Sequence, residues 1–195
     1  MAQEAIDVPD MDLAYLPAGE HAYDEYLVDM NWCMAFAEVN REVMFAAVCD
    51  AIESVLGEVA QIDLQFDTHH NFAQLELHEG EELLIHRKGA VRAEGLVTIP
   101  GSMGTASYIG QGKCSPVSFA TCSHGAGRKL GRKQANREIG HERAVESMQH
   151  VVYGVRKGDY DEMPDCYKDI DDVMRQQADL VEPVHKLYPL AVVKG

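Results

Sequence analysis

The stretch LLIHRKGAVRAEGLVTIPGSMGTASYIGQGKCSPVSFATCSHGAGR, residues 83–128, decides how this chain is read. Short apolar runs at 83–88, 96–99, 106–110 and 117–122 are separated by glycines, which predicts short strands rather than helices here. Working outward, Ile62, Leu64 and Phe66 alternate with polar neighbours and predict one more strand. Residues 22–56 repeat apolar side chains at three- and four-residue steps, from Tyr23, Tyr26 and Leu27 to Ile52 and Val55. This predicts one long helix or two joined ones, with Gly57 as the stop. A helix is expected to open after His124-Gly125-Ala126-Gly127. A final amphipathic helix is expected over about 168–187, with Ile170, Val173, Met174, Gln177, Leu180, Val181, Val184 and Leu187 in register. The fold class is α+β, with strands central and helices at both ends.

Charge is segregated along the chain. The 195 residues carry a formal charge of −15, which argues against a general binder of nucleic acid. Yet Gly95 to Arg137 contains no Asp or Glu, while Lys113, Arg128, Lys129, Arg132, Lys133 and Arg137 all fall there. One surface facing a polyanion, with the rest acidic, would give this pattern. No run of eighteen apolar residues exists, so no membrane partner is expected. The first residues, MAQEAIDVPDMDLAYL, are acidic where a secretory signal is basic. Cys33, Cys49, Cys114, Cys122 and Cys166 form no CxxC pair and fit reduced thiols in a cytoplasmic protein.

Four segments could carry chemistry. Ser123-His124-Gly125-Ala126-Gly127-Arg128 follows a strand, and its small residues would let backbone N–H groups approach an anion. Arg128 and Arg132, four apart, would add forked phosphate contacts. A histidine in that setting is placed to attack a phosphoryl group or to pass it a proton. Thr98 to Ser107 forms a second turn rich in glycine and hydroxyl groups, suited to phosphate or ribose and equally to a plain hairpin. His69-His70-Asn71, flanked by Asp67 and Glu76, mixes imidazole with carboxylate as transition-metal sites do. Adjacent strand histidines point to opposite faces, so at most one enters a given site. His86-Arg87-Lys88-Gly89 reads as solvated surface at a strand end. Gly110-Gln111-Gly112-Lys113-Cys114 is not a Walker loop, Gly125 to Gly131 misses the dinucleotide fingerprint by one residue, and no GxSxG elbow occurs.

Taken in order, these segments resemble the RtcB family of RNA ligases. The match rests on His70-Asn71, HRKGA at 86–90, IPGSMGTASYI at 99–109, CSHGAGR at 122–128, DEMPDCYKDID at 161–171 and VVKG at 192–195. Phe36 to Arg41 is similar to that family's AxxNR helix, and the spacing looks most like the bacterial branch. The resemblance covers nearly the whole chain. It implies an RtcB-like pocket of central strands, and an enzyme that joins an RNA 3′-phosphate or 2′,3′-cyclic phosphate to a 5′-hydroxyl using GTP and manganese (Mn2+). It also implies His124 as the nucleophile that carries GMP, His70 as a manganese ligand, and Asn71 as a nucleotide contact. By the same likeness Pro100, Gly101, Ser102, Met103 and Ser107 would line the guanosine pocket, and Gly125, Ala126 and Gly127 would cradle phosphate. Lys194 would contact guanine and Tyr167 would stack nearby. Lys88, Arg128 and Arg132 would meet RNA phosphates, although position 131 is Gly where the family usually has Ser.

The family's DxHCG, GNHF and HSGSRG motifs, which carry its other metal ligands, do not occur. Residues 1–195 are therefore expected to be the carboxy-terminal portion of one catalytic domain, active only with an amino-terminal metal-binding half as partner. Unpaired strand edges would make such a half associate in isolation. Two other readings stand beside this one: a catalytically dead protein that keeps affinity for GTP or RNA, and a metal-dependent phosphohydrolase.

Overall fold

A computed structural model describes residues 9–58 and 61–193 and divides the chain into two compact units, 1–65 and 66–195. In chain order the elements are α1 (His21–Leu56), β1 (Asn71–His78), β2 (Glu81–Lys88), β3 (Ala90–Arg92), β4 (Leu96–Ile99) and β5 (Ser107–Gly112). There follow β6 (Thr121–Ser123), α2 (Arg132–Glu138), α3 (His141–Met148), α4 (Ile170–Gln176) and β7 (Val181–Leu187). Among the described residues no helix is long and apolar enough to cross a membrane.

In the first unit α1 runs unbroken for 36 residues, about 54 Å at 1.5 Å per residue. Gly57 ends it in the left-handed conformation (φ 71°), its N–H donating to the Glu53 carbonyl at 2.8 Å, so the expected stop is the observed one. No residue of this helix is buried. At about 100° per residue, Tyr26, Leu27, Met30, Met34, Met44, Val48, Ile52 and Val55 fall on one side, and Val28, Trp32, Phe36, Val39 and Val43 on the opposite side; none is buried. The helix thus carries one apolar stripe along its whole length and a second on the opposite side over residues 28–43, which the three- and four-residue steps alone do not reveal.

The second unit is built from small antiparallel sheets. β1 and β2 form a hairpin with Asn71 opposite Lys88 and His78 opposite Glu81. Its two-residue turn, Glu79-Gly80, has positive φ at both positions (52° and 89°), the twist that matches paired strands. β3 pairs with β6, and β4, β5 and β7 form a sheet in the order β4-β5-β7. One core cluster holds Val91, Val97, Ile99, Cys122, Ile170, Met174 and Val181. A second holds Ala135, Ile139, Ala144, Met148, Tyr160, Met163 and Cys166. Asp171 ties α4 to the sheet by accepting from the Tyr108 hydroxyl at 2.7 Å and from Lys186 Nζ at 2.7 Å.

The α+β reading and most of the central strands agree with this structure. Three expectations do not. The helix expected over 168–187 is a short helix followed by a strand. Asp169 caps α4 by accepting from the Asp171 and Asp172 N–H groups at 2.8 and 3.3 Å. Pro183 cannot continue a helix and fits β7, a strand paired on one side only. The run at Ile62, Leu64 and Phe66 makes no strand, and Ile62 and Leu64 stay exposed; the strand lies further on, at β1. Nor does a helix open directly after Gly127. The chain first forms a bridge between Arg128 and Tyr167, and α2 begins at Arg132.

His86-Arg87-Lys88 is not simply solvated surface. Arg87 is 2% exposed and donates to both oxygens of Glu76, which is 6% exposed, and to Thr121 Oγ1 and the Phe119 carbonyl. Its guanidinium lies over Phe72, its cross-strand partner, 5.3 Å from the ring centroid. Glu76 also accepts from His78 Nε2 at 3.0 Å. This carboxylate is committed to the hairpin and leaves the metal-ligand group proposed around His69 and His70.

Gly112 of this unit is sterically required. A Cβ at Gly112 would lie 2.2 Å from the carbonyl carbon and oxygen of Ala93. Gly112→Ala should therefore cost about 3 kcal/mol, read as a lower urea midpoint at unchanged slope.

Candidate active site

Strand register assembles the site. Asn71 stands opposite Lys88 in the hairpin, which brings His70 across from Gly89. Ala90 stands opposite Ser123, which brings His124 across from the same Gly89. Gly89 adopts φ 65°, in the left-handed region that favours glycine. Its N–H donates to the His70 carbonyl at 2.8 Å and to Asn71 Oδ1 at 3.0 Å. Its carbonyl contacts Nδ1 of His124 at 2.6 Å. A carbonyl oxygen only accepts, so Nδ1 carries the proton and the lone pair of the neutral ring lies on Nε2. The half-buried His124 ring stacks on His70, with centroids 5.1 Å apart and planes 10° apart. His69 instead makes a T-shaped contact with Phe72, so the two adjacent histidines, which precede β1, have different ring partners.

The turn that follows His124 packs against the Pro100 turn. The Ala126 N–H donates to the Pro100 carbonyl at 3.0 Å, and a Cβ at Gly125 would lie 2.9 Å from that oxygen. The turn after Pro100 is fixed from within: Gly101 N–H donates to Ser107 Oγ at 3.2 Å, and Ser102 N–H to Thr105 Oγ1 at 2.7 Å. Met103 packs against the second core cluster. Gly127 is left-handed (φ 70°), and its carbonyl accepts from the Lys168 N–H at 3.0 Å. Because α2 starts only at Arg132, the 124–127 turn is not itself a helix start, and its anion-binding capacity rests on loop N–H groups.

Tyr167 and the turn share a cavity of about 490 Å³, lined among others by Gly104, Thr105, Ala106, Lys129, His150 and Lys186. His124 does not line it. Arg128 stacks on the Tyr167 ring at 5.0 Å and donates to the Tyr167 hydroxyl, Glu162, and the carbonyls of Leu130 and Asp161. Burial, then the Glu162 carboxylate, raise the pKa of the Tyr167 phenol. Arg132 is exposed and pairs loosely with Asp161 and Glu162 at 3.7 and 3.8 Å. Lys88 is exposed at the end of β2. Lys194 lies outside the described residues. Burial pushes the Cys122 thiol up to about 11, so it is no nucleophile at neutral pH.

Two positioning groups were not singled out from the sequence. Gly89 was legible only as part of HRKGA. Gln177, buried, accepts from the Ser123 N–H through Oε1 at 2.9 Å and so fixes the strand end that carries His124. A lone Gln inside an apparent amphipathic helix carries no signal for that role.

The geometry defines a histidine held in glycine turns, outside both the Walker and the dinucleotide-binding frames. Over residues 1–195 the chain matches the model of the family described as tRNA-splicing ligase RtcB. It is 40% identical to RNA-splicing ligase RtcB1 of Escherichia coli ATCC 25922, over 99% of this chain and 49% of that protein. Identity to RNA-splicing ligase RtcB of Escherichia coli K12 is 39%, with the same coverage. To tRNA-splicing ligase RtcB of Nanoarchaeum equitans it is 33%, over 97% of this chain and 46% of that protein. The chain belongs to the RtcB family. It spans about half the length of the curated relatives it matches.

Proposed function

We propose that this chain is the guanylate-accepting portion of a GTP-dependent RNA ligase. Nε2 of His124 attacks the α-phosphorus of GTP, an N–P bond forms, and the bond to the pyrophosphate oxygen breaks. The guanylate then passes to an RNA 3′-phosphate oxygen, which frees His124. A 5′-hydroxyl attacks that activated phosphorus, its proton is lost, and GMP leaves. One difficult displacement becomes several easier ones. The observation that carries this reading is the Nδ1 contact of His124 with the Gly89 carbonyl, which leaves the lone pair of the neutral ring on the other nitrogen.

The cavity shared by Gly104 to Ala106 and Tyr167 is of a size for a nucleoside and is the proposed guanosine subsite; Pro100, Gly101, Ser102, Met103 and Ser107 do not line it, and their proposed nucleotide contacts rest on the family likeness. Gly125, Ala126 and Gly127 would offer N–H groups to the phosphate. Lys88 and Arg132, exposed, are the cations placed for RNA phosphates, and Arg128 would act mainly by holding Tyr167. Manganese is a different matter. Among the described residues no three His, Cys, Asp or Glu side chains converge, so His70 is one candidate ligand and no step is derived through a metal. We place the remaining ligands, and hence ligation competence, in sequence equivalent to the other half of the relatives.

Incubation with α-labelled GTP and manganese, with and without such a half, tests the reading. Label should enter the chain when the half is present. No label under that condition sinks the ligase reading, and nucleotide binding without transfer would favour the dead-homologue alternative.

A further inference from the structure

We infer that Asn71 is a positioning residue that acts through the backbone of Gly89 to choose the tautomer of His124, a deepening that rests on the proposed function above. The chain of contacts is short. Asn71 Oδ1 accepts from the Gly89 N–H at 3.0 Å, beside the His70 carbonyl, which accepts from the same N–H at 2.8 Å. Two acceptors on one N–H hold residue 89 in the left-handed turn at φ 65°, and the next peptide, which carries the Gly89 carbonyl, is held by the Ala90 N–H donating to the His70 carbonyl at 3.3 Å. Together these bonds aim the Gly89 carbonyl at Nδ1 of His124, 2.6 Å away. A Cβ on residue 89 would sit 3.3 Å from Cε1 of His124, so the peptide and the ring are in van der Waals contact as well.

The chemistry gives the contact its meaning. A neutral imidazole free in water carries its proton mainly on Nε2, which would leave the outward nitrogen without a lone pair. The Gly89 carbonyl reverses that preference, because it binds only the form protonated at Nδ1. The side-chain oxygen of Asn71 is engaged with the Gly89 N–H, and its amide N–H groups are not used in that contact. Asn71 is itself exposed at the start of β1, so its truncation removes the clamp without opening the core.

The test is long-range proton–nitrogen NMR of the full chain, labelled with ¹⁵N, at about pH 8, above the ordinary imidazole range. His124 is assigned by its loss in His124→Ala. The wild-type ring should show Nδ1 protonated and Nε2 bare, Asn71→Ala should shift the proton towards Nε2, and Asn71→Asp, which keeps the acceptor oxygen, should restore the wild-type pattern. In the presence of the other half, Asn71→Ala should slow guanylate uptake about 10–100-fold and Asn71→Asp should recover it. A wild-type ring protonated at Nε2 overturns the inference without any variant, and an unchanged tautomer in a folded Asn71→Ala overturns the role of Asn71. Absence of uptake in the wild type counts against the proposed function alone, since the tautomer spectra do not depend on it.

Discussion

His124→Ala should reduce guanylate uptake to background, a fall on the order of 10³-fold or more, while leaving the fold intact. The loss is this large because a covalent intermediate has no substitute: binding and electrostatics alone can retain residual catalysis, but no other group can accept GMP in its place. Cys122 is held protonated by burial, and His70, stacked on the ring, is an exposed side chain outside the Gly89 clamp. Truncation at position 124 removes one hydrogen bond, to the Gly89 carbonyl, and a half-buried ring. The stability cost should stay near 1 kcal/mol. A variant that keeps its unfolding midpoint and loses uptake separates the chemical role from a structural one. A variant that still takes up label would mean that the acceptor lies elsewhere.

Arg87→Met should destabilise the second unit by about 3–5 kcal/mol, because it strands the Glu76 carboxylate in a nearly closed environment. Replacing both residues, as Glu76→Leu with Arg87→Met, should recover most of that loss, because no charge is then left unpaired. The pair also sets a pH dependence. The Arg87 guanidinium, helped by His78 and Arg92 and opposed by burial, lowers the Glu76 pKa from its ordinary 4.5 to about 2. The folded state therefore favours the charged carboxylate. Its contribution, about 3 kcal/mol by linkage, is fully present above pH 4.5 and is lost as the pH falls towards 2. Urea midpoints for the parent chain should fall across that window, and those for the double variant should fall less. Equal slopes in both proteins would contradict this assignment.

What the sequence disclosed, and what it withheld, follows from the range of each signal. Glycine punctuation located β4, β5 and the hairpin partner β2, because turns and strands are local. The segment 168–187 misled because Leu180, Val181, Val184 and Leu187 continue a helical step by coincidence, while the deciding feature is the single ring of Pro183 against an edge position. At the site, the glycines and His124 were legible as a motif, and the structure puts Pro100, Gly125 and Ala126 together. Glu76 looked like a metal ligand and Arg87 like surface, because their pairing crosses the hairpin and spacing does not display it. Gly89 and Gln177 act through the backbone of neighbours brought in by register, a relation that exists only after the strands have paired.

The most direct measurement of the central claim is mass mapping after incubation with GTP, manganese and the complementary half. Trypsin cleavage after Lys113 and Arg128 releases residues 114–128, which contain one histidine. One acid-labile guanylate on that peptide, absent from the His124→Ala protein, is the predicted result. Guanylate on another peptide, or an unmodified 114–128 while RNA ends are being joined, would contradict it.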